Sequence, residues 1–382
     1  MKIHKISDEN KNLFPKYFYW SIPIFLVSNI IFRSFYYEGT ATTDSFSYFK
    51  LAASLPKIKS SYFPILYPFL LRVTNIFTND YFISSKILSI ISILFILYFT
   101  KKVNFFWKEI WILLLSPICL MIMPMSWSET ILLPILIVYF YLNYIFINKK
   151  ITPCKFIIYN SILLFLLLLT KYSCISFMFA NFIFILYLFY KNKYKIAINI
   201  FYCLLISSLF ISIYLFSNLL STGYLTGAER IPPIRNKMNI ILSFYQSLYC
   251  LNPFFGRDLF NIKINYNLAA IFSIIFFIFW LFLFFKAKSL KKIENIQILF
   301  ISSIFFIFMV ISYFNTKLDT LGPRLLFPSI ISFYITIIYT INNLKTYKQY
   351  KNKILILIGI YFLLFGFLNK QNFEIFYSIF DK

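Results

Sequence analysis

The chain has 382 residues, 60% of them hydrophobic and only 13% charged, with 37 Lys and Arg against 13 Asp and Glu. Repeated apolar runs long enough to cross about 30 Å of hydrocarbon exclude an ordinary soluble enzyme and mark a polytopic membrane protein. The net charge of +24 is spread in short clusters between apolar runs, where basic residues set topology, so nucleic acid is excluded as a partner.

The first predicted element is an apolar segment at 17–36, preceded by basic residues as in a signal sequence. Arg33, Tyr36 and Tyr37 stand where a cleavage site wants small residues, so the segment is read as an uncleaved first span. Further apolar segments follow at 82–99, 111–126, 130–147, 156–170, 173–190, 196–216, 267–285, 296–314, 325–341 and 354–368, each near the ~20 residues that a crossing needs. The stretch 156–190, taken as one helix, would reach about 52 Å, far more than one crossing, so Lys171 is expected to turn a hairpin.

Eleven spans with the amino terminus inside place five lysine clusters on one side: Lys101/Lys102/Lys108, Lys149/Lys150/Lys155, Lys191/Lys193/Lys195, Lys286/Lys288/Lys291/Lys292 and Lys345/Lys348/Lys351/Lys353. The apolar run 62–77 then cannot be a crossing. It is expected to lie along the outer interface, with Arg72 reaching the headgroups. The expected fold class is all-α, a single integral-membrane domain over 1–382 in the cytoplasmic (inner) membrane, with outer loops at about 37–81 and 217–266.

On this topology every arginine, Arg33, Arg72, Arg230, Arg235, Arg257 and Arg324, falls on the outer side, whereas the inner basic residues are all lysines. Guanidinium groups bind phosphate bidentately, so a phosphate ligand at the outer face is one reading; lipid headgroups or the outer carboxylates are the other. The cysteines, Cys119, Cys154, Cys174, Cys203 and Cys250, show no paired spacing, and neither a disulfide framework nor a metal knuckle is implied. The only histidine, His4, lies in the predicted inner tail, away from outer-face chemistry.

In TTDSFSYFKLAASL, Asp44, Tyr48, Leu51/Ala52 and Leu55 recur at helical spacing, so one face of a short helix carries a carboxylate, a phenol and then apolar contacts. Asp44 is a candidate for chemistry; Thr43 or Asp44 is equally a candidate N-cap. Glu129, in MPMSWSET beside apolar spans, needs a partner there, either Lys171 or an arginine, or else it orients an acceptor. Asp258 and Asp319 each have a basic neighbour, and loop ion pairs are the default for both.

This stretch, with the following SSYFPILYPFLLRVTNIF and NDYFISSKILSIISILFILYF, resembles the N-terminal region of GT-C superfamily glycosyltransferases, of the protein mannosyltransferase and aminoarabinose transferase kind. Asp44, Tyr48, Ala52, Pro64, Leu66, Tyr67, Pro68 and Lys86 occupy the motif places. Ser116, Pro117 and Glu129 resemble the Ser-Pro and Ser-Glu of the third and fourth spans, Lys171 stands where relatives often have arginine, and GPRLLFPSIISFYITIIY resembles a late span entered through Arg324.

The resemblance implies transfer of a sugar from a polyprenyl-phosphate donor to the hydroxyl of a glycan, lipid or protein acceptor at the outer face, with inversion. Asp44 would be the general base, and Tyr48, Tyr67, Lys86, Glu129, Lys171, Arg230, Arg235, Arg257 and Arg324 would bind substrates, Arg324 first among the groups facing the leaving phosphate. No Asp-x-Asp pair occurs, so a divalent metal is not implied, and no cofactor is expected beyond the lipid-linked donor. Two other readings stay open: a polymerase joining undecaprenyl-diphosphate repeat units, and a transporter or flippase for lipid-linked sugars, which would call for ionisable residues near the bilayer midplane and often internal repeats.

Overall fold

The computed structural model describes residues 3–36, 40–56, 62–229, 247–254, 258–259, 262–263, 266–316 and 321–367. Among them are fourteen α-helices: α1 (Ile3–Tyr36), α2 (Thr43–Ser54), α3 (Leu66–Thr78), α4 (Tyr81–Lys102), α5 (Trp107–Leu114), α6 (Pro117–Ile122), α7 (Glu129–Ile147), α8 (Pro153–Thr170), α9 (Ser176–Tyr190), α10 (Tyr194–Thr222), α11 (Tyr266–Lys286), α12 (Ile293–Asn315), α13 (Pro323–Asn342) and α14 (Lys345–Phe367). The one ladder among the described residues is a two-residue antiparallel pairing of Asp258–Leu259 with Ile262–Lys263.

Among the described residues seven helical segments are long and apolar enough to cross a membrane: α4, α7, α8, the stretch Tyr172–Tyr190 that ends in α9, α10, α12 and α13. The protein is therefore a multi-pass helical membrane protein. The expected segments 17–36 and 267–285 lie inside α1 and α11, and 354–367 lies inside α14. The hairpin expected at Lys171 is present: α8 stops at Thr170, and Lys171 is extended (φ −154, ψ 120) before a short 3-10 turn leads into α9.

Segment 111–126 departs from its expectation of one continuous helix. It is divided into α5 and α6, with Ser116 extended (φ −58, ψ 147) between them. Pro117 explains the break, because a proline disfavours helical backbone at the residue before it and is itself well placed at the first position of a new helix. The α6 carbonyl of Leu120 accepts from Arg33 Nη1 (3.1 Å) and Asn29 Nδ2 (3.3 Å) of α1, so Arg33 has a buried structural task.

Helix directions follow from side-chain contacts at the two ends. Glu129 opens α7, Arg324 is the second residue of α13, and Lys171 follows α8; all three meet at one end. At the other end Tyr144 of α7, Tyr339 of α13 and Phe106 pack ring on ring, with centroids 4.9–5.9 Å apart. Asn295, near the start of α12, reaches Thr340, near the end of α13 (3.4 Å), so these two run antiparallel. Their contact is the broadest helix pairing, and α13 is the most enclosed of the seven spans.

A layer of neutral amides crosses the bundle inside the hydrocarbon-like core. Gln297 Nε2 donates to Asn143 Oδ1 (2.8 Å) and Asn181 Oδ1 (3.0 Å), Asn143 Nδ2 to Asn160 Oδ1 (3.2 Å), and Asn181 Nδ2 to the Tyr139 hydroxyl (2.8 Å). These bonds join α7, α8, α9 and α12 where lipid-like surroundings give helices little hydrophobic reason to associate; each contributes roughly 0.6–2 kcal/mol.

Gly359 marks a close approach of α14 to α1 and α5: a Cβ there would sit 2.6 Å from Phe18 Cζ and 2.7 Å from Ile112 Cδ1. Both obstacles are side-chain tips, so Gly359→Ala is expected to be tolerated, whereas Gly359→Leu should cost about 1–3 kcal/mol by overpacking. Thermal unfolding of the two variants in one detergent checks this; equal midpoints would contradict it.

Candidate active site

The first loop folds onto the bundle through α2 and α3. Thr42 is the N-cap of α2 (φ −116, ψ 175), and its N–H donates to Ser45 Oγ at 3.0 Å. Asp44 sits one residue inside the helix, so neither Thr43 nor Asp44 is the cap. A carboxylate in the first turn is favoured by the positive end of the helix dipole, and its oxygens remain available for other partners.

Beneath Asp44, α2 buries Ser45, Tyr48, Leu51 and Ala52, and Tyr48 and Ala52 pack with Tyr67 and Leu71 of α3, Leu88 of α4 and Ile131 of α7. Tyr67 packs edge-on to the Tyr48 ring (centroids 5.0 Å) and stands as a wall behind it. The other face of α3 turns Phe69, Val73, Ile76 and Phe77 outward, an amphipathic division suited to a membrane surface. Arg72, expected at the headgroups, donates to the Tyr81 hydroxyl at 3.0 Å.

Above this platform an alternating chain of charges crosses four elements. Arg324 Nη1 donates to Asp44 Oδ2; Arg324 Nε lies 3.8 Å from Glu129 Oε1; Lys171 Nζ donates to the same Glu129 oxygen at 2.7 Å and to the Arg324 carbonyl at 2.9 Å. Glu129 is only 1% exposed, whereas Asp44, Arg324 and Lys171 are 30%, 20% and 14% exposed, so the chain is closed at Glu129 and most open at Asp44. An arginine at a helix N-terminus is placed against the dipole, and the two carboxylates offset that. Arg324 Nε is buried and makes no hydrogen bond among the described residues.

Two residues that the sequence reading did not single out complete the setting. The Trp127 ring lies under the Arg324 guanidinium (4.5 Å), and its Nε1 donates to Thr42 Oγ1 (2.9 Å), tying the arginine's resting place to the cap of α2. Ser128 Oγ shares a hydrogen bond with the Tyr48 hydroxyl (3.0 Å). Burial, then the nearby Glu129 carboxylate, push the Tyr48 hydroxyl well above its ordinary pKa, so it serves as a neutral hydrogen-bonding group.

Lys86 belongs to the support of this site. Its ammonium donates to the Pro124 carbonyl (2.7 Å), Ser126 Oγ (2.9 Å) and Thr40 Oγ1 (3.3 Å), which uses all three of its protons. With the Ser126 N–H bonded to the Thr40 carbonyl (3.1 Å), the lysine clamps the start of the first loop to the 124–128 turn. Asp44, Tyr48, Glu129, Lys171 and Arg324 are thus gathered in one place, with Tyr67 and Lys86 behind it. Arg230, Arg235, Arg257 and Asp319 lie outside the described residues, as do the side-chain surroundings of Asp258.

Among the described residues no three His, Cys, Asp or Glu side chains converge as metal ligands would. Comparison with known proteins finds no matching family model, no similar curated protein and no similar solved structure.

Proposed function

We propose that this chain is an integral-membrane glycosyltransferase of GT-C type, which moves a sugar from a polyprenyl-phosphate donor to an acceptor hydroxyl at the outer face of the cytoplasmic membrane. The observation that carries the reading is the chain Asp44, Arg324, Glu129, Lys171, assembled from four separate elements at the end of the bundle away from the Lys108 and Lys351 cluster. The full topology proposed with it has eleven crossings and the amino terminus inside, with α5 and α6 together as one broken crossing.

In this reaction the acceptor oxygen bonds to the anomeric carbon as the bond from that carbon to the phosphate oxygen breaks, with inversion. The leaving polyprenyl phosphate takes the electron pair, and the acceptor's proton passes to Asp44. With Oδ2 facing Arg324, Oδ1 receives it. Arg324 is a fixed cation where negative charge grows, and its buried Nε has no competing hydrogen bond among the described residues. The donor phosphate and Asp44 compete for one guanidinium, so donor binding loosens the Asp44 pair and frees the carboxylate to face the acceptor hydroxyl. Glu129 and Lys171 hold Arg324 from behind.

The experiment is a deletion of this chain in its own cell, with surface glycans and glycolipids followed by mass spectrometry. Loss of a sugar of defined mass, restored by the wild-type chain, supports the proposal. An unchanged glycan profile, or accumulation of intact lipid-linked oligosaccharide that points to polymerisation or transport, counts against it.

A further inference from the structure

At the opposite end of the bundle, two adjoining cavities open where α1, α5 and α14 meet. The larger, about 740 Å³, is lined by Lys108, Lys348, Lys351 and Lys353 with one acid, Glu109. Lys351 already neutralises that acid at 2.5 Å, and the Tyr347 hydroxyl donates to it at 3.3 Å. The lysine charge in excess of that pair is gathered around a space that holds no compensating carboxylate among its described lining residues.

The smaller cavity, about 290 Å³, shares Lys108, Trp107 and Asn352 with the first and adds Lys101 and two further tryptophans. Lys101 Nζ stands 4.0 Å from the centre of the Trp20 ring, and Trp20 is 54% exposed on the surface of α1. Tryptophans beside lysines at the end of membrane helices sit at headgroup depth. A charged recess with an aromatic mouth at that depth has the chemistry of a site for an anionic headgroup between helices.

We propose that these joined cavities bind a phosphate-bearing anion, in the form of an acidic phospholipid headgroup: Lys108, Lys348 and Lys353 meet the phosphate, and Trp20 and Trp107 flank the glycerol and the first acyl carbons. The site is separate from the Asp44 cluster and does not depend on the glycosyltransferase reading. Occupancy would pin α14 to α1 and α5, the same three helices that close around Gly359.

The test uses the purified full chain in neutral detergent and native mass spectrometry against phosphatidylglycerol, phosphatidylcholine and inorganic phosphate. The wild type is expected to retain phosphatidylglycerol over phosphatidylcholine. Lys108→Gln/Lys348→Gln/Lys353→Gln should weaken that retention on the order of 100-fold, from three lysines facing one anionic site. The same three positions changed to Arg should keep it, which separates lost charge from lost fold. Lys155→Gln/Lys191→Gln/Lys193→Gln removes equal charge elsewhere and should leave it intact. Retention of inorganic phosphate with indifference between the two lipids would keep the anion site but assign it a soluble ligand. Equal retention of both lipids with no bound phosphate, or equal loss in the Lys155 set, would overturn the proposal.

Discussion

Asp44→Asn is expected to lower sugar transfer by about 10²- to 10⁴-fold, the usual worth of a positioned general base, while the protein reaches the membrane in normal amount. The second half of that expectation comes from the architecture of α2. Thr42, not Asp44, caps the helix, and Tyr48 and Ala52 carry its packing, so an isosteric amide at position 44 leaves the fold its supports. Asp44→Glu keeps the charge but moves it by a methylene, and an intermediate rate is expected. Transfer per mole of protein in isolated membranes is the measurement; a fully active Asp44→Asn would remove this residue from the chemistry.

Glu129→Gln should have the largest effect on stability. The carboxylate is 1% exposed and faces both Lys171 and Arg324, so neutralising it leaves two partly buried cations to repel each other around an amide. Breaking a buried pair by removing one partner costs about 3–5 kcal/mol, far more than the pair itself is worth against apolar replacements. The double variant Glu129→Leu/Lys171→Met should therefore recover much of the loss, with Arg324 still held by Asp44. Unfolding in mixed micelles tests the cycle. Independent, additive losses would show that Glu129 and Lys171 do not act as a pair.

Much of this site was legible in the sequence because each clue was local. Helical spacing placed Asp44 and Tyr48 on one face, the length of 156–190 required a turn at Lys171, and a carboxylate beside apolar spans required a cation for Glu129. Both alternatives offered for that cation occur together, since Lys171 and Arg324 each face Glu129. The partner of Asp44 was not legible. Asp44 and Arg324 are 280 residues apart, and they meet because α13 packs against α7 while Tyr48 and Thr42 tie α2 to Ser128 and Trp127 in the turn before α7.

The arginine pattern was informative but too broadly read. Arg33 and Arg72 have protein acceptors in Leu120 and Tyr81, which leaves Arg324 as the described arginine at the candidate site. Hydropathy likewise hid the break at Ser116: the run 111–126 is apolar on both sides of Ser116, and the backbone preference imposed by Pro117 divides it. The amide layer of Asn143, Asn160, Asn181 and Gln297 escaped notice for a similar reason, because single polar residues in four distant runs reveal their common depth only when the helices are stacked.

The most direct measurement is turnover by the purified chain in liposomes, with a synthetic polyprenyl-phosphate donor carrying a labelled sugar and membranes of the deletion strain as the source of acceptor. The label is expected to leave the lipid with inverted anomeric configuration, with polyprenyl phosphate released in equal amount and both depending on Asp44. Label that stays on the monophosphate lipid while a diphosphate-linked oligosaccharide is consumed, or that crosses the bilayer with its donor unchanged, would contradict that expectation.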